Sequence, residues 1–128
     1  MNTINIFISQ PMSGISEDEV NVKFKLACDD ASMIMLNTHK EKIDQICFLT
    51  TYYDKEGKEA INYKFPKIYR LGHALMKLAN TDYIYFVDGW RDKRGCIIEY
   101  IVAKLFKVPI INESNVPVDI NRKIYEED

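Results

Sequence analysis

Short apolar runs that alternate with single helical stretches constrain this chain most strongly. The runs at 4–9, 46–50, 83–87 and 108–111 are rich in β-branched and aromatic residues, which is typical of buried strands. Amphipathic stretches separate these runs, so we expect the strands to pair in parallel through helical crossovers. The pattern predicts an α/β fold: a small three-layer sandwich whose mostly parallel sheet has about four to five strands.

Three stretches have the periodicity of helices. Ser16 and Glu19 form a capping box that starts the first helix, which we expect to reach about Leu36. The second surrounds residues 68–78, and the third runs from Gly95 to about residue 106. The expected buried positions are Val20, Phe24, Ala27, Ala31 and Ile34 in the first helix, Ile68, Leu71, Leu75 and Leu78 in the second, and Ile97, Ile98, Ile101, Val102 and Leu105 in the third.

Length and composition fit one folded domain over residues 1–128. Hydrophobic residues make up 47% of the chain and charged residues 28%, a balance that disfavours disorder. The polar stretch from Tyr52 to Lys64 predicts a long loop, and such loops are often functional. The chain is polar again from about residue 112, which predicts a C-terminal tail with a last turn near 121–125.

Charge, hydropathy and cysteine content limit the partners and the compartment. The net charge of −2 disfavours duplex nucleic acid as a partner. No apolar run approaches the roughly 18 residues that cross a bilayer, so we expect no membrane association, and the first residues lack the basic region of a signal peptide. Cys28, Cys47 and Cys96 form neither a CxxC pair nor a zinc spacing. We therefore expect a reduced, cytoplasmic protein without a metal.

Two loops follow strands at the sheet edge where ligands bind in parallel α/β folds: residues 9–15 and residues 88–95. In the first loop, Ser13 and Gly14 can hold a phosphate or a sugar through hydroxyl and amide groups. This loop has neither the GxxxxGK[ST] pattern of a P-loop nor the GxGxxG dinucleotide fingerprint. The loop rule therefore selects this edge of the sheet without naming a ligand.

The second loop carries the more reactive residues. Gly95 opens a helix whose free amides favour an anion, and Lys93 and Arg94 add positive charge there. Glu99 lies about one turn into the helix, at the edge of its apolar stripe, where partial desolvation suits a nucleophile or a general base. The alternative is that an acidic residue early in a helix only complements the helix dipole.

Asp88 and Trp90 also have two interpretations each. Asp88 follows the third strand directly, where a carboxylate can bind a ribose hydroxyl or a base edge, although Asp-Gly is also a common turn pair. Trp90 can stack on a base or cover an edge of the core. His39 and His73 have no second metal ligand nearby, and the sequence alone leaves both alternatives open for Asp88 and for Trp90.

Two blocks of the chain resemble the small, often phage-encoded nucleoside 2-deoxyribosyltransferase-like proteins. Residues 6–14, IFISQPMSG, resemble the YISGPMTG opening of that family, and residues 88–110 resemble its GWxxSRGAxxExxxAxxxGxPI block. The resemblance covers most of residues 4–111. It implies a flavodoxin-like or Rossmann-like sheet that binds a nucleoside or nucleotide at the strand ends, with no cofactor, in a homo-oligomer.

The resemblance also implies roles for individual residues. In active members, and in the related deoxynucleoside 5′-phosphate N-hydrolases, a glutamate attacks the anomeric carbon and expels the base, and Glu99 has the matching position. Asp88 would contact the sugar or the base, and the two loops would hold the sugar and any 5′-phosphate. The implied ligand-binding residues are Ser9, Gln10, Pro11, Met12, Ser13, Gly14, Gly89, Trp90, Lys93, Arg94 and Gly95.

Two positions depart from the family pattern. Phe7 stands where the family often has tyrosine, and Lys93 stands where it usually has serine or aspartate. Either change can weaken catalysis and leave ligand binding intact. Three hypotheses follow: an enzyme that cleaves or transfers at an N-glycosidic bond, a silent protein that sequesters a nucleotide-derived signal, as in phage anti-defence, and a structural assembly subunit.

Overall fold

A computed structural model describes residues 3–38, 43–50, 60–120 and 124 of the chain. Within these residues, three parallel strands form one sheet in the order β2-β1-β3. The strands are β1 (Thr3–Ser9), β2 (Gln45–Thr50) and β3 (Tyr83–Phe86), and the helices are α1 (Glu17–Thr38), α2 (Pro66–Leu78) and α3 (Arg94–Leu105). A short 3-10 helix, Trp90–Asp92, joins β3 to α3. The predicted α/β class and the parallel pairing are confirmed.

The central strand β1 is buried on both sides of the sheet. Side chains alternate along a strand, so Ile6 and Ile8 face one side, while Phe7 and Ser9 face the other. Ile6 and Ile8 pack against α1, through Ala27, Ala31 and Met35. Phe7 belongs to the second core cluster, with Ala74 and Leu78 of α2 and Ala103 of α3. Helices therefore cover both faces of the sheet, which makes the predicted three-layer sandwich.

Helix α1 starts where the capping box predicts. The Glu19 amide donates a hydrogen bond of 3.2 Å to Ser16 Oγ, and this bond satisfies one of the free amides of the first turn. The helix continues to Thr38, slightly beyond the predicted end. Its buried side is formed by Val20, Ala27, Ala31 and Met35, so Met35 takes the place predicted for Ile34.

Helix α2 turns a different side to the sheet than the sequence predicts. Ala74 and Leu78 are buried against the sheet, whereas Ile68 is 65% exposed. The small Ala74 lets the helix approach the sheet, and this orientation carries Ile68 outward. Residues 51–59 lie outside the described residues, so the predicted loop from Tyr52, with Tyr53, is not covered up to residue 59. His39 and most of the turn predicted at 121–125 also lie outside them.

The prediction of four to five strands is wrong for the described residues. The run at 108–111 forms a single parallel bridge, between Ile110 and Ile84, rather than a strand. Two features limit the pairing: Pro109 has no amide to donate, and Lys107 has a φ of 61° that turns the chain sharply after α3. Beyond the bridge, the Asn112 side chain replaces backbone, since it accepts from the Phe86 amide and donates to the Phe86 carbonyl.

The segment that follows this bridge folds back onto the domain. The Arg91 guanidinium donates hydrogen bonds of 3.0 Å to the backbone carbonyls of Val116 and Pro117. Lys104 Nζ donates to Glu113 Oε2 at 2.7 Å. Residues 112–117 of the predicted polar tail are therefore anchored. No helix among the described residues is long and apolar enough to cross a bilayer.

Candidate active site

Strand β1 and helix α3 bring two of the predicted site residues together. Ser9 Oγ donates a hydrogen bond of 2.7 Å to Glu99 Oε1. Ser9 is fully buried, and the Glu99 side chain is only 4% exposed. The two residues are 90 positions apart in the chain, and they meet because Ser9 ends β1 on the face of the sheet that α3 covers.

Glu99 lies deeper than the sequence predicts. Its expected place was the edge of the apolar stripe of α3, beside Ala103 and Phe106. The buried side of α3 is instead formed by Cys96, Ile97, Glu99 and Ala103, while Phe106 is exposed. Cys96 and Ala103 are small and lie one turn on either side of Glu99, so the helix packs closely on β1 and turns the carboxyl group onto Ser9.

Burial gives the Glu99 carboxyl unusual acid-base behaviour. Desolvation raises its pKa to about 7, and the hydrogen bond from Ser9 opposes this rise because it favours the ionised form. Near neutral pH, both the carboxylate and the carboxylic acid are therefore populated. A group poised in this way can attack an electrophile when it is ionised and can donate a proton when it is not.

The first loop is anchored beside this pair. The Gln10 side chain is buried, and its Nε2 donates to the Val20 carbonyl in α1 at 2.7 Å. Gln10 Oε1 is buried and accepts no hydrogen bond. Pro11 is buried and packs next to Gly89, whose φ of 92° is in the region that favours glycine. The two predicted loops therefore touch each other at Pro11 and Gly89.

Lys93 joins the two loops a second time. Its Nζ donates a hydrogen bond of 2.8 Å to the Ser13 carbonyl, across 80 residues of sequence. Ser13 and Gly14 are exposed, and Met12 and Arg94 are partly buried. A Cβ atom at Gly95 would meet no atom within 4 Å, so open space lies next to the first turn of α3. Room for a ligand and a cation thus occur together at that turn.

Asp88 and Trp90 face a separate cleft of about 250 Å³. The Trp90 ring packs against Phe86 and Tyr100, with centroid distances of 4.5 and 5.1 Å, so Trp90 covers an edge of the core. The Asp88 carboxylate is exposed at the cleft, and no described residue hydrogen-bonds to it. Neither Ser9 nor Glu99 lines the cleft. The predicted site residues therefore form two neighbouring groups rather than one.

No known protein family, curated protein or solved structure that we compared matches this chain. The argument for function accordingly depends on the geometry above and on the motif resemblance. Among the described ranges, no three side chains of the metal-ligating types cluster together.

Sequence reasoning missed three contributors to this edge of the sheet. Tyr100 lines the cleft and stacks on Trp90, and its place next to Glu99 on a helix was a usable signal, because adjacent helical residues point to different sides. Lys93 was assigned to a ligand, yet it holds Ser13. Asn112 was assigned to a tail. No local pattern announces these last two contacts, since each depends on a partner far away in sequence.

Proposed function

We propose that this protein binds a nucleoside or nucleotide at the carboxyl edge of the sheet and cleaves or transfers at its N-glycosidic bond. Glu99 is the nucleophile, and Asp88 contacts the sugar or the base. The observation that carries the proposal is the hydrogen bond of 2.7 Å between Ser9 Oγ and Glu99 Oε1, in a buried position at the end of the central strand.

The chemistry follows from how the carboxyl group is held. Ser9 engages Oε1, so Oε2 is the oxygen that attacks the anomeric carbon. The bond from that carbon to the base nitrogen breaks, and the base departs with the bonding electrons and takes up a proton. Water or a second base then releases the sugar from Glu99. The transition state resembles an oxocarbenium ion, which an adjacent carboxylate stabilises strongly where water is excluded.

The cationic residues support a ligand that bears a 5′-phosphate. The first turn of α3 offers free amides, and open space lies next to Gly95. Lys93 already has its Nζ at the mouth of the first loop, on the Ser13 carbonyl. A phosphate would give it a charge-assisted and therefore stronger partner. The same proposal makes the protein a cytoplasmic homo-oligomer, as the resemblance implies.

A second candidate function is binding without turnover. Two observations favour it: Phe7 packs in the core and has no hydroxyl to offer the site, and Lys93 is held by a backbone carbonyl. In addition, the pKa of about 7 leaves part of the Glu99 population protonated, and that part is not nucleophilic at neutral pH. A protein of this kind would sequester a nucleotide-derived signal.

Release of free base tests the two candidates. The purified protein is incubated with a panel of nucleosides, deoxynucleosides and their 5′-monophosphates, and the products are separated by chromatography. Glu99→Gln preserves the size of the side chain and removes the nucleophile, so we expect its rate to fall on the order of 10³-fold or more. Glu113→Gln is the matched control, because Glu113 is an exposed carboxylate bonded to Lys104.

Each outcome selects one reading. Base release that is lost in Glu99→Gln and kept in Glu113→Gln supports the enzyme. Full activity in Glu99→Gln overturns the assignment of the nucleophile. Tight nucleotide binding with no base release supports the silent binder. A chain that binds no member of the panel contradicts both candidates and favours a structural subunit.

A further inference from the structure

Helix α1 carries an apolar face that no described part of the chain covers. Four large side chains form it, and they are between 47% and 64% exposed. Their spacing of four, seven and three residues places them in one line along the helix. We call this line the α1 face: Val22, Leu26, Met33 and Leu36.

The α1 face is acidic. Helix α1 contains five acidic residues and two basic ones, Lys23 and Lys25, so it carries a net charge of −3. Asp29 lies within the line of the face, because it follows Leu26 by three residues and precedes Met33 by four. Lys23 lies 3.9 Å from Glu19, which occupies part of its charge. A partner for this face must be apolar and basic.

Helix α2 and the residue before it carry a second exposed apolar face, of opposite charge. Phe65, Ile68 and Met76 are between 65% and 71% exposed, and we call them the α2 face. Residues 60–81 contain no acidic residue and four basic ones. Lys77 donates to the Thr50 carbonyl, whereas the other three are exposed: Lys64, Lys67 and Arg70.

The two faces cannot meet within one molecule, because α1 packs on one side of the sheet and α2 on the other. We propose that they bind each other between copies, so that the α1 face of one copy contacts the α2 face of the next. Contacts between two α1 faces or between two α2 faces would place like charges together, which is unfavourable. The α1-to-α2 contact brings opposite charges together and covers both apolar faces.

This contact is head-to-tail, so it leaves one face of each kind open at the ends of any linear assembly. It builds either a closed ring or an open chain, and not a two-fold dimer. Salt weakens the assembly, because the charges beside the two faces are exposed and are screened.

The test uses two variants that each block one face with the same change. Leu26→Asp places a charge in the α1 face, and Ile68→Asp places one in the α2 face. Val116→Asp is the matched control, since Val116 is 63% exposed and lies in neither face. Sedimentation velocity over a range of protein concentrations reports the assembly, and circular dichroism melts show that each variant is folded.

Wild type and Val116→Asp are expected to associate as concentration rises. Each blocking variant alone is expected to sediment as a monomer, with its association at least about tenfold weaker. An equimolar mixture of Leu26→Asp and Ile68→Asp is expected to form a two-chain species, because one intact face of each kind remains.

Three results would overturn the proposal. The first is a wild type that stays monomeric throughout, whether or not it binds anionic vesicles through α2. The second is an Ile68→Asp or a Leu26→Asp variant that still dimerises alone, since a two-fold contact through the unblocked face would explain it. The third is a mixture of the two variants that remains monomeric.

Discussion

Two neighbouring regions at the carboxyl edge of the sheet differ mainly in their contact with water. In the first, Ser9 and Glu99 are buried and hydrogen-bonded to each other. In the second, Asp88 is exposed in a cleft beside Trp90 and Tyr100. Burial changes the chemistry of a carboxyl group, because water no longer stabilises its charge. The comparison teaches that position at a strand end selects a candidate residue, whereas burial by the neighbouring helix decides what that residue can do.

The largest expected effect concerns the pH dependence of stability. The folded protein holds the Glu99 proton more tightly than the unfolded chain does, since its pKa is about 7 rather than 4.5. The free energy of unfolding therefore falls as pH rises between about 4.5 and about 7, by about 3 kcal/mol in total. Urea titrations across this range measure the fall, and Glu99→Gln should remove it.

The exposed Glu113 supplies the control for this titration, because Glu113→Gln should leave the fall unchanged. A wild type and a Glu99→Gln variant with parallel pH profiles would show that Glu99 is solvated in the folded protein. The contrast between the two regions would then disappear.

The second expected effect comes from the donor in the buried pair. Ser9→Ala leaves Glu99 Oε1 without its hydrogen bond, so the free energy of unfolding should fall by about 2 kcal/mol above pH 7. The fall should be smaller in acid, where Glu99 is protonated. The pKa of Glu99 should rise further, which NMR titration of the side-chain carboxyl carbon measures. Ser13→Ala, an exposed hydroxyl in the same loop, should stay within about 0.5 kcal/mol of wild type.

The third effect tests the space between the two regions. Gly95 and Gly72 are both helical, and a Cβ atom at either meets no atom within 4 Å. Alanine should therefore be accepted at both positions, and Gly72→Ala should stabilise the protein by about 0.5–1 kcal/mol. Gly95→Ala should weaken binding of a nucleoside 5′-monophosphate about tenfold, or about 1.4 kcal/mol, as calorimetry would measure. Equal binding by both variants would exclude a phosphate from the first turn of α3.

The smallest expected effect is on the stability of the open region. Asp88→Asn should change the free energy of unfolding by less than about 0.5 kcal/mol, because no described residue hydrogen-bonds to this exposed carboxylate. Thermal melts provide the measurement. A loss of more than 1 kcal/mol would mean that Asp88 supports the fold, and its proposed contact with the sugar or base would lose its basis.

Local pattern predicted much of this fold. β-branched runs placed β1 and β3, the capping box placed the start of α1, and the strand-end rule selected Ser9 and the loop at Asp88. These features are predictable because each depends on residues close together in sequence. The motif resemblance and the helical position of Glu99 selected it before any geometry was known.

The remaining features depend on contacts between distant parts of the chain. The orientation of α3 follows from how closely Cys96 and Ala103 approach β1, and a stripe of larger residues hides that preference. The side of α2 that carries Ile68 is decided in the same way. The bond between Lys93 and Ser13 crosses 80 residues, so no periodicity reveals it.

The segment beside β3 also bears on how the protein behaves in concentrated solution. The outer edge of an exposed strand is a template for aggregation, because its free backbone groups recruit strands from other molecules. Here Ile84 exchanges backbone hydrogen bonds with Pro109 and Ile111, and both backbone groups of Phe86 are held by the Asn112 amide. One asparagine side chain thus does the protective work of a fourth strand, and Asn112→Leu should turn this edge into a site where misassembly begins.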